Sequence, residues 1–294
     1  MAIKRSNGEK LFDFINIIAL GFLSIVTLYP FLYVLFASFS DPTDLMRHKG
    51  LLLLPLGIKF DAYSLVFKNP ILLTSYMNTI MYVVGGTTIS VFLTILGAYA
   101  FSRKGTMWGN SMMFFIVFTM WFSGGMIPYF LLVRDLGMFN TRWALIIPRA
   151  VVTYNLIVMR TAFQGVPVSL EESARIDGAN DFTILFKIIL PLSLPVVAVI
   201  TLFYSVAQWN AWFDAMLFVN NRLLYPLQLI LREILILSST NTMTAGAAAQ
   251  GDQIQLGETI KYATVIVATI PILCIYPFLQ KYFVKGIMLG AIKG

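Results

Sequence analysis

The residue types that carry most metal and catalytic chemistry are scarce in this chain. Its 294 residues include one histidine, His48, and one cysteine, Cys274, so a metal-binding cluster cannot be assembled from them. No pair of acidic residues lies within an apolar segment, and the Gly-x-x-x-x-Gly-Lys pattern of a phosphate-binding loop does not occur. The sequence therefore predicts a chain that is not an enzyme, holds no metal or cofactor of its own and does not hydrolyse ATP.

Charged residues are also few. They make up 12% of the chain, against about a quarter in soluble domains, while 58% of the residues are hydrophobic and the mean hydropathy is +0.79. A soluble protein of this length could not hide so much apolar surface from water, so lipid must be the solvent for most of the chain. The net charge of +7 lies beside the apolar segments rather than in one basic groove, which argues against nucleic-acid binding.

Six apolar windows each offer about 20 residues, the length that a helix needs to cross the hydrocarbon core of a membrane. We therefore predict an all-α, polytopic membrane protein with six transmembrane helices. The first window is too long for the apolar core of a cleaved signal peptide, so we expect it to be retained. The predicted spans cover residues 14–36, 75–101, 110–133, 143–163, 192–213 and 259–283.

Two long polar connections separate these spans. Residues 38–74 form a loop with room for a short helix, and residues 215–258 contain a helix-like piece at 226–237 followed by small and polar residues. We expect both to lie outside the cell, the second as an exposed docking loop. The distribution of lysine and arginine only weakly favours cytoplasmic termini. The orientation is decided instead by the motif in the charged loop at 164–190.

That loop contains the most informative pattern in the sequence. It resembles the signature of importer-type ABC permeases, which reads Glu-Ala-Ala, three residues, Gly, nine residues, then Ile-x-Leu-Pro. Every spacing matches, and the one departure is a serine at the middle alanine. The matching segment comprises Glu172, Ser173, Ala174, Gly178, Ile188, Leu190 and Pro191.

The helix-forming preferences of these residues favour a compact helix-turn-helix projection in the 164–190 loop. Glu171 and Glu172 fall in a first helical turn, where the helix dipole favours negative charge, and Gly178 can end the helix in a left-handed conformation. A second short helix is predicted over residues 182–190. If the match to the motif is set aside, the alternative interpretation is an amphipathic loop helix that lies on the lipid headgroups.

The resemblance implies the type I ABC importer permease fold, with an N-terminal helix and extracytoplasmic loop at 1–74 and a core permease domain at 75–294. In that family the loop sits in a cleft of the ATPase, where Glu172 would pair with a basic residue and Ala174 and Gly178 would permit close approach. The implied partners are a second homologous permease, two ATPase subunits that bind ATP and Mg, and an extracytoplasmic solute-binding protein. The implied location is the bacterial cell membrane, with both termini in the cytoplasm. The residues expected to couple to the ATPase are Glu171, Glu172, Ser173, Ala174, Asp177, Gly178, Leu190 and Pro191.

Two further stretches narrow the resemblance. Residues 280–294 are similar to the tail of the smaller permease of the maltose importer, so Lys293 and Gly294 are expected to contact the ATPase; a basic, membrane-anchoring tail is the alternative. Residues 208–214 and 225–228 are similar to the polysaccharide-type, LplC-like branch of carbohydrate permeases. That branch implies the import of sugars, in particular oligosaccharides, with acidic ones from plants or algae included. Another solute, or a passive channel, remains the alternative.

Polar groups at membrane depth usually face a cavity or another part of the protein, because an unsatisfied one costs several kcal/mol. Arg149 is expected to meet an acidic sugar or to neutralise an internal carboxylate. The tryptophans of the 208–214 stretch combine flat apolar faces with a neighbouring amide, as sugar sites do, or belong to an interfacial aromatic belt. The residues proposed for a substrate pathway are Asn78, Arg149, Tyr154, Asn155, Trp209, Asn210 and Trp212.

Overall fold

A computed structural model describes residues 6–103, 105–244 and 259–274, with the backbone alone over 237–244. The described part of the chain is mainly helical. Its helices are α1 Asn7–Phe39, α2 Pro42–Arg47, α3 Asp61–Lys68, α4 Pro70–Ser102, α5 Gly109–Phe118, α6 Met126–Asp135, α7 Trp143–Ile146, α8 Thr153–Gln164, α9 Val168–Ile176, α10 Asp181–Ile184, α11 Leu190–Leu192, α12 Leu194–Trp209, α13 Phe213–Phe218, α14 Leu227–Thr244 and α15 Thr259–Cys274. A π-helical turn, Leu185–Ile189, joins α10 to α11, and a 3₁₀ turn, Arg222–Leu224, precedes α14.

The chain divides into two compact units. Among the described residues, the first comprises 6–69, 233–244 and 259–269, and the second comprises 70–103, 105–232 and 270–274. The second unit contains the loop at 164–190, which we call the signature loop, and all of the residues proposed for a substrate pathway, so it positions the candidate site.

In the first unit, α1 begins at a capping box. The Ser6 hydroxyl accepts from the Gly8 amide, and the Glu9 carboxylate accepts from the Ser6 amide. The loop after α1 is held by an ion pair between Asp41 and Lys59. The ammonium group of Lys59, which donates a hydrogen bond to Asp41, lowers the pKa of that carboxyl to about 2. The predicted single short helix in this loop is instead two, α2 and α3.

In the second unit, α4 packs against both α8 and α12. Small and hydroxyl-bearing residues recur along its buried face at intervals of about four, which lets neighbouring helices approach closely. Hydroxyl contacts tie the pair α4 and α12 together: Thr94 Oγ1 lies 2.7 Å from the Tyr204 hydroxyl, and Thr87 Oγ1 lies 3.3 Å from Ser205 Oγ. The buried face of α4 includes Ser75, Thr79, Tyr82, Gly86, Ser90, Thr94 and Ala98.

The predicted spans agree with the structure unevenly. Helices α1 and α4 are each long and apolar enough to cross a membrane, and both exceed their predicted bounds. A third candidate is bent by 86° between residues 181–192 and 194–209. The continuous helices predicted over 110–133 and 143–163 are wrong. The first is interrupted over residues 119–125, which include Gly124 and Gly125, and the second over residues 147–152, which include Pro148. Residues 275–283 of the sixth predicted span lie outside the described part, so the count of six spans stays a prediction.

Candidate functional site

The signature loop folds as a helix, a glycine joint and a second helical segment, as predicted. Helix α9 ends at Ile176, and Gly178 follows with φ +80°. The Gly178 amide donates to Arg175 O at 3.1 Å and the Ala179 amide donates to Ala174 O at 2.9 Å. These two bonds form a Schellman motif, which requires the left-handed conformation that glycine adopts at least cost.

The second segment is less regular than predicted. The Asn180 side chain caps it by accepting from the Thr183 amide at 2.8 Å. The segment then widens into the π-helical turn, whose ends, Leu185 and Ile189, are buried in the core. Leu190 and Pro191 of the signature form the short helix α11 that leads to α12. Such π-helical insertions are uncommon and recur at functional positions.

The two adjacent glutamates of α9 have different environments. Glu171 is only 8% exposed, and its carboxylate pairs with Arg103 and with Arg175, the latter at 3.1 Å. Glu172 is exposed, and within the described part of the chain no ion pair to it is formed. Glu171, which is predicted with the residues that couple to the ATPase, is therefore paired with basic residues of this same chain. The hydrogen bond to Glu171 raises the pKa of the Arg175 guanidinium above its usual range.

The exposed surface of the signature loop is a small patch of polar and apolar residues. Ala174, expected to permit close approach, is instead partly buried and packs against the core. Ile176, which the sequence reading gave no role, is 86% exposed and adds an apolar residue to the patch. The one sequence feature that could have indicated this exposure is the position of Ile176 between two charged residues, Arg175 and Asp177. Within α9 and the glycine joint, the exposed residues of the predicted coupling set are Glu172, Ser173, Asp177 and Gly178.

A cavity of about 100 Å³ lies among α4, α7, α12, α13 and the turn before α8. Arg149 forms a two-point ion pair beside it, with Nε 2.6 Å from Asp214 Oδ2 and Nη2 3.0 Å from Asp214 Oδ1. The Asp214 side chain is 5% exposed, whereas that of Arg149 is 59% exposed. Of the two roles predicted for Arg149, the structure contains the pairing with an internal carboxylate. The cavity is lined by Tyr82, Leu145, Arg149, Val152, Tyr204, Ala207, Gln208, Ala211, Asp214, Ala215 and Pro226.

The other proposed pathway residues do not line this cavity. The Asn78 amide donates to Leu223 O at 2.6 Å and to Tyr225 O at 3.2 Å, so it holds the turn before α14. In α8, Tyr154 is exposed and Asn155 is buried. Two polar residues of the cavity, Gln208 and Asp214, are not among the predicted pathway residues. Both lie in the 208–214 stretch, but their position beside Arg149 depends on tertiary packing.

The side chains proposed for sugar contact at the end of α12 lie in three different environments. Trp209 is buried and its ring packs edge-on against Tyr76 at 5.9 Å between centroids. Asn210 is exposed and donates to Val206 O at 2.9 Å. Trp212 is partly buried beneath the guanidinium of Arg232, 4.4 Å from the ring centroid. The three residues therefore do not form one sugar-stacking platform in this conformation.

Some predicted features lie outside the described residues. These are Lys293 and Gly294 of the tail and residues 245–258 of the second docking loop, whereas 238–244 continue helix α14. In the described ranges no group of three or more histidine, cysteine or acidic side chains could hold a metal ion.

Comparison with known proteins places this geometry in a family. Residues 93–289, which include the signature loop and the cavity residues from Leu145 to Pro226, match the family described as binding-protein-dependent transport system inner membrane component. The chain is 43% identical to the polygalacturonan/rhamnogalacturonan transport system permease protein YtcP of Bacillus subtilis, over 97% of this chain and 99% of the relative. It is 41% identical to protein LplC of the same organism, over 98% of this chain and 97% of LplC.

A solved structure agrees in fold. The chain superimposes with a TM-score of 0.85, at 34% identity, on a chain of a bacterial ABC transporter involved in the import of the acidic polysaccharide alginate. The match covers 96% of this chain and all of the other. The predicted type I ABC importer permease fold is thereby confirmed. The chain belongs to the binding-protein-dependent transport system inner membrane component family and is a non-catalytic permease subunit of a bacterial ABC importer.

Proposed function

We propose that this permease carries oligosaccharides released from an acidic polysaccharide across the bacterial cell membrane. Support comes from the similarity to a polygalacturonan/rhamnogalacturonan permease and to an importer of the acidic polysaccharide alginate. The observation that carries the proposal is the arginine beside the cavity. Arg149 is largely exposed although its partner, Asp214, is buried.

The chemistry of Arg149 suits an anionic sugar. A guanidinium has five N–H donors, and the pairing with Asp214 occupies two of its nitrogens, so donors remain on the exposed side. A carboxylate on a sugar ring can accept from such a donor, and a bidentate arrangement is the strongest form of this contact. Asp214 fixes the direction of the guanidinium before the substrate arrives.

Coupling to ATP hydrolysis is proposed to occur at the exposed patch of the signature loop. Glu172, Asp177 and Gly178 would meet the ATPase, with Leu190 and Pro191 passing the motion to α12. ATP and Mg would be bound by two ATPase subunits, and this chain would bind no cofactor. A second homologous permease would complete the membrane part, and the tail with Lys293 and Gly294 would reach the ATPase.

The orientation and cycle follow from this assignment. Both termini would lie in the cytoplasm, and residues 38–74 and 238–255 would face the solute-binding protein outside. ATP binding would close the ATPase dimer and move the signature loop. The helices around the cavity would then open it outward, and hydrolysis would reset them.

The substrate class is tested by uptake into proteoliposomes that contain the full importer and its solute-binding protein. Galacturonate oligomers and their methyl esters have the same length and differ in charge, so they form a matched pair. We expect ATP-dependent uptake of the acids to exceed that of the esters at least tenfold. Equal uptake of both would contradict the acidic assignment.

The rival function, a passive channel, is tested by co-purification. A tagged permease should bring down a second permease and an ATPase, because the signature loop has an exposed patch suited to a protein partner. A stable homo-oligomer without ATPase, conducting solute in the absence of ATP, would refute the importer mechanism for this chain.

A further inference from the structure

One guanidinium connects three helices near the signature loop. Arg103 follows the last residue of α4, and its Nη1 bonds to the Glu171 carboxylate in the first turn of α9. Its Nη2 donates to Phe163 O, near the end of α8, at 2.8 Å. Its Nε donates to Ser102 Oγ at 3.0 Å, and its plane lies 5.2 Å from the centroid of the Tyr99 ring.

The same charge network continues beyond the glycine joint. Arg175 donates to the second Glu171 oxygen at 3.1 Å and to Asp181 Oδ1 at 2.6 Å. We call Arg103, Glu171, Arg175 and Asp181 the loop network. It fixes both sides of the joint to each other and, through Arg103, to the ends of α4 and α8.

The burial of this network indicates more than a surface ion pair. The side chains of Arg103 and Glu171 are both mostly shielded, whereas exposed pairs contribute little rigidity because water and salt screen them. Phe163, whose carbonyl accepts from Arg103, and Met159 of the same helix are fully buried in the core. A displacement of α9 must therefore either carry α4 and α8 with it or break a shielded pair.

Helix α4 and the residue that precedes α8 also line the cavity. Tyr82 of α4 lines it, and Val152, the residue before α8, lines it together with Arg149. The loop network thus connects α9 to two helices: α4, which lines the cavity through Tyr82, and α8, which begins directly after the cavity residue Val152.

We propose that Arg103 and Glu171 are positioning residues that transmit movement of the signature loop to α4 and α8. This proposal rests on the proposed coupling role of the loop. Its consequence is a division between the two glutamates: Glu172 serves attachment to the ATPase, and Glu171 serves transmission inside the permease.

The test uses the complete importer in proteoliposomes, with three measurements: subunit co-purification, ATP hydrolysis, and sugar transported per ATP hydrolysed. We expect Arg103→Gln to assemble and to hydrolyse ATP within twofold of wild type, while sugar transported per ATP falls at least tenfold. Arg103→Lys should recover part of the loss, because an ammonium can pair with Glu171 but lacks the planar fork that also reaches Phe163 O. Arg134→Gln is the matched control, since Arg134 is exposed and pairs only with its neighbour Asp135 within the described residues; it should behave as wild type.

Glu172→Gln separates this proposal from the coupling role on which it rests. If Glu172→Gln loses the ATPase while Arg103→Gln transports normally per ATP, transmission through Arg103 is refuted and the coupling role stands. Normal coupling in both variants would refute the role of the loop itself. Loss of assembly in Arg103→Gln, or the same defect in Arg134→Gln, would also overturn the proposal.

Discussion

The ion pair between Arg149 and Asp214 predicts an asymmetric response to mutation. Arg149→Gln leaves a carboxylate that is 5% exposed without its cation, and such an uncompensated buried charge costs about 3–5 kcal/mol. Asp214→Asn leaves a guanidinium that is 59% exposed and keeps one acceptor oxygen, so the expected cost is about 1.5 kcal/mol, the lower end for a hydrogen bond to a charged group. The double variant replaces the pair by two amides and should be more stable than Arg149→Gln alone.

The assay is the thermal midpoint of the purified complex in detergent, measured for both single variants and the double variant. Because a multisubunit complex does not unfold in two states, the order of the midpoints is the result to compare. We expect wild type highest, then Asp214→Asn, then the double variant, with Arg149→Gln lowest. Equal losses in the two single variants, or no recovery in the double variant, would refute the argument from burial.

The double variant also separates folding from recognition. It retains a hydrogen-bonding pair but has no cation beside the cavity, so the preference for galacturonate oligomers over their methyl esters should fall at least tenfold. All variants receive substrate from the same solute-binding protein, so a change in this ratio belongs to the permease. An unchanged ratio would show that Arg149 serves the fold alone.

Three further predictions concern single positions. Gly178→Val should destabilise the loop by roughly 1–2 kcal/mol, because its φ of +80° disfavours a side chain although no atom lies within 4 Å of an added Cβ, and it should lower sugar transported per ATP. Gly86→Leu should cost about 1–3 kcal/mol in complex stability, because an added Cβ would lie 2.7 Å from Gln208 Nε2 where α4 meets α12. The Asp41 carboxylate, whose pKa falls from 3.8 to about 2, should stabilise its loop fully above about pH 4 and lose that effect as the pH falls through about 2. Amide exchange at Thr43, which donates to Asp41 at 2.8 Å, would report this loss.

Local sequence signals explain where the fold was predicted well. The bonds of the Schellman motif at Gly178 join residues three and five apart, so a single glycine after an amphipathic turn is enough to predict a left-handed end of the helix there. The start of α1 at Asn7, ahead of the predicted span at 14–36, also has a local signal, because Ser6 and Glu9 have the spacing of a capping box. The breaks in the third and fourth predicted spans had their signals in Gly124, Gly125 and Pro148, which apolar content alone conceals.

The cavity could not be predicted in the same way. Its charged pair joins residues 65 positions apart, and the Tyr204 hydroxyl bonds to Thr94, 110 positions away. Arg149 stands out in the sequence because it is a charged residue at the predicted depth of a membrane span. Its partner, Asp214, does not stand out, because several acidic residues lie in the predicted loops. Which acid it meets depends on how α13 packs beside the 147–152 turn, and no local pattern encodes that packing.

The two glutamates of α9 show where the limit of sequence reasoning lies. Glu171 and Glu172 are adjacent and chemically alike, yet successive residues of a helix point about 100° apart, so only one can face the protein. Helical periodicity leaves open which one, because both precede the same glycine joint. The choice depends on Arg103, 68 positions earlier, which directly follows α4 and contacts Glu171 in the first turn of α9. A motif written only as spacing within the loop therefore points to the surface proposed to meet the ATPase, whereas the proposed connection from that surface to α4 and α8 depends on Arg103, which lies outside the motif.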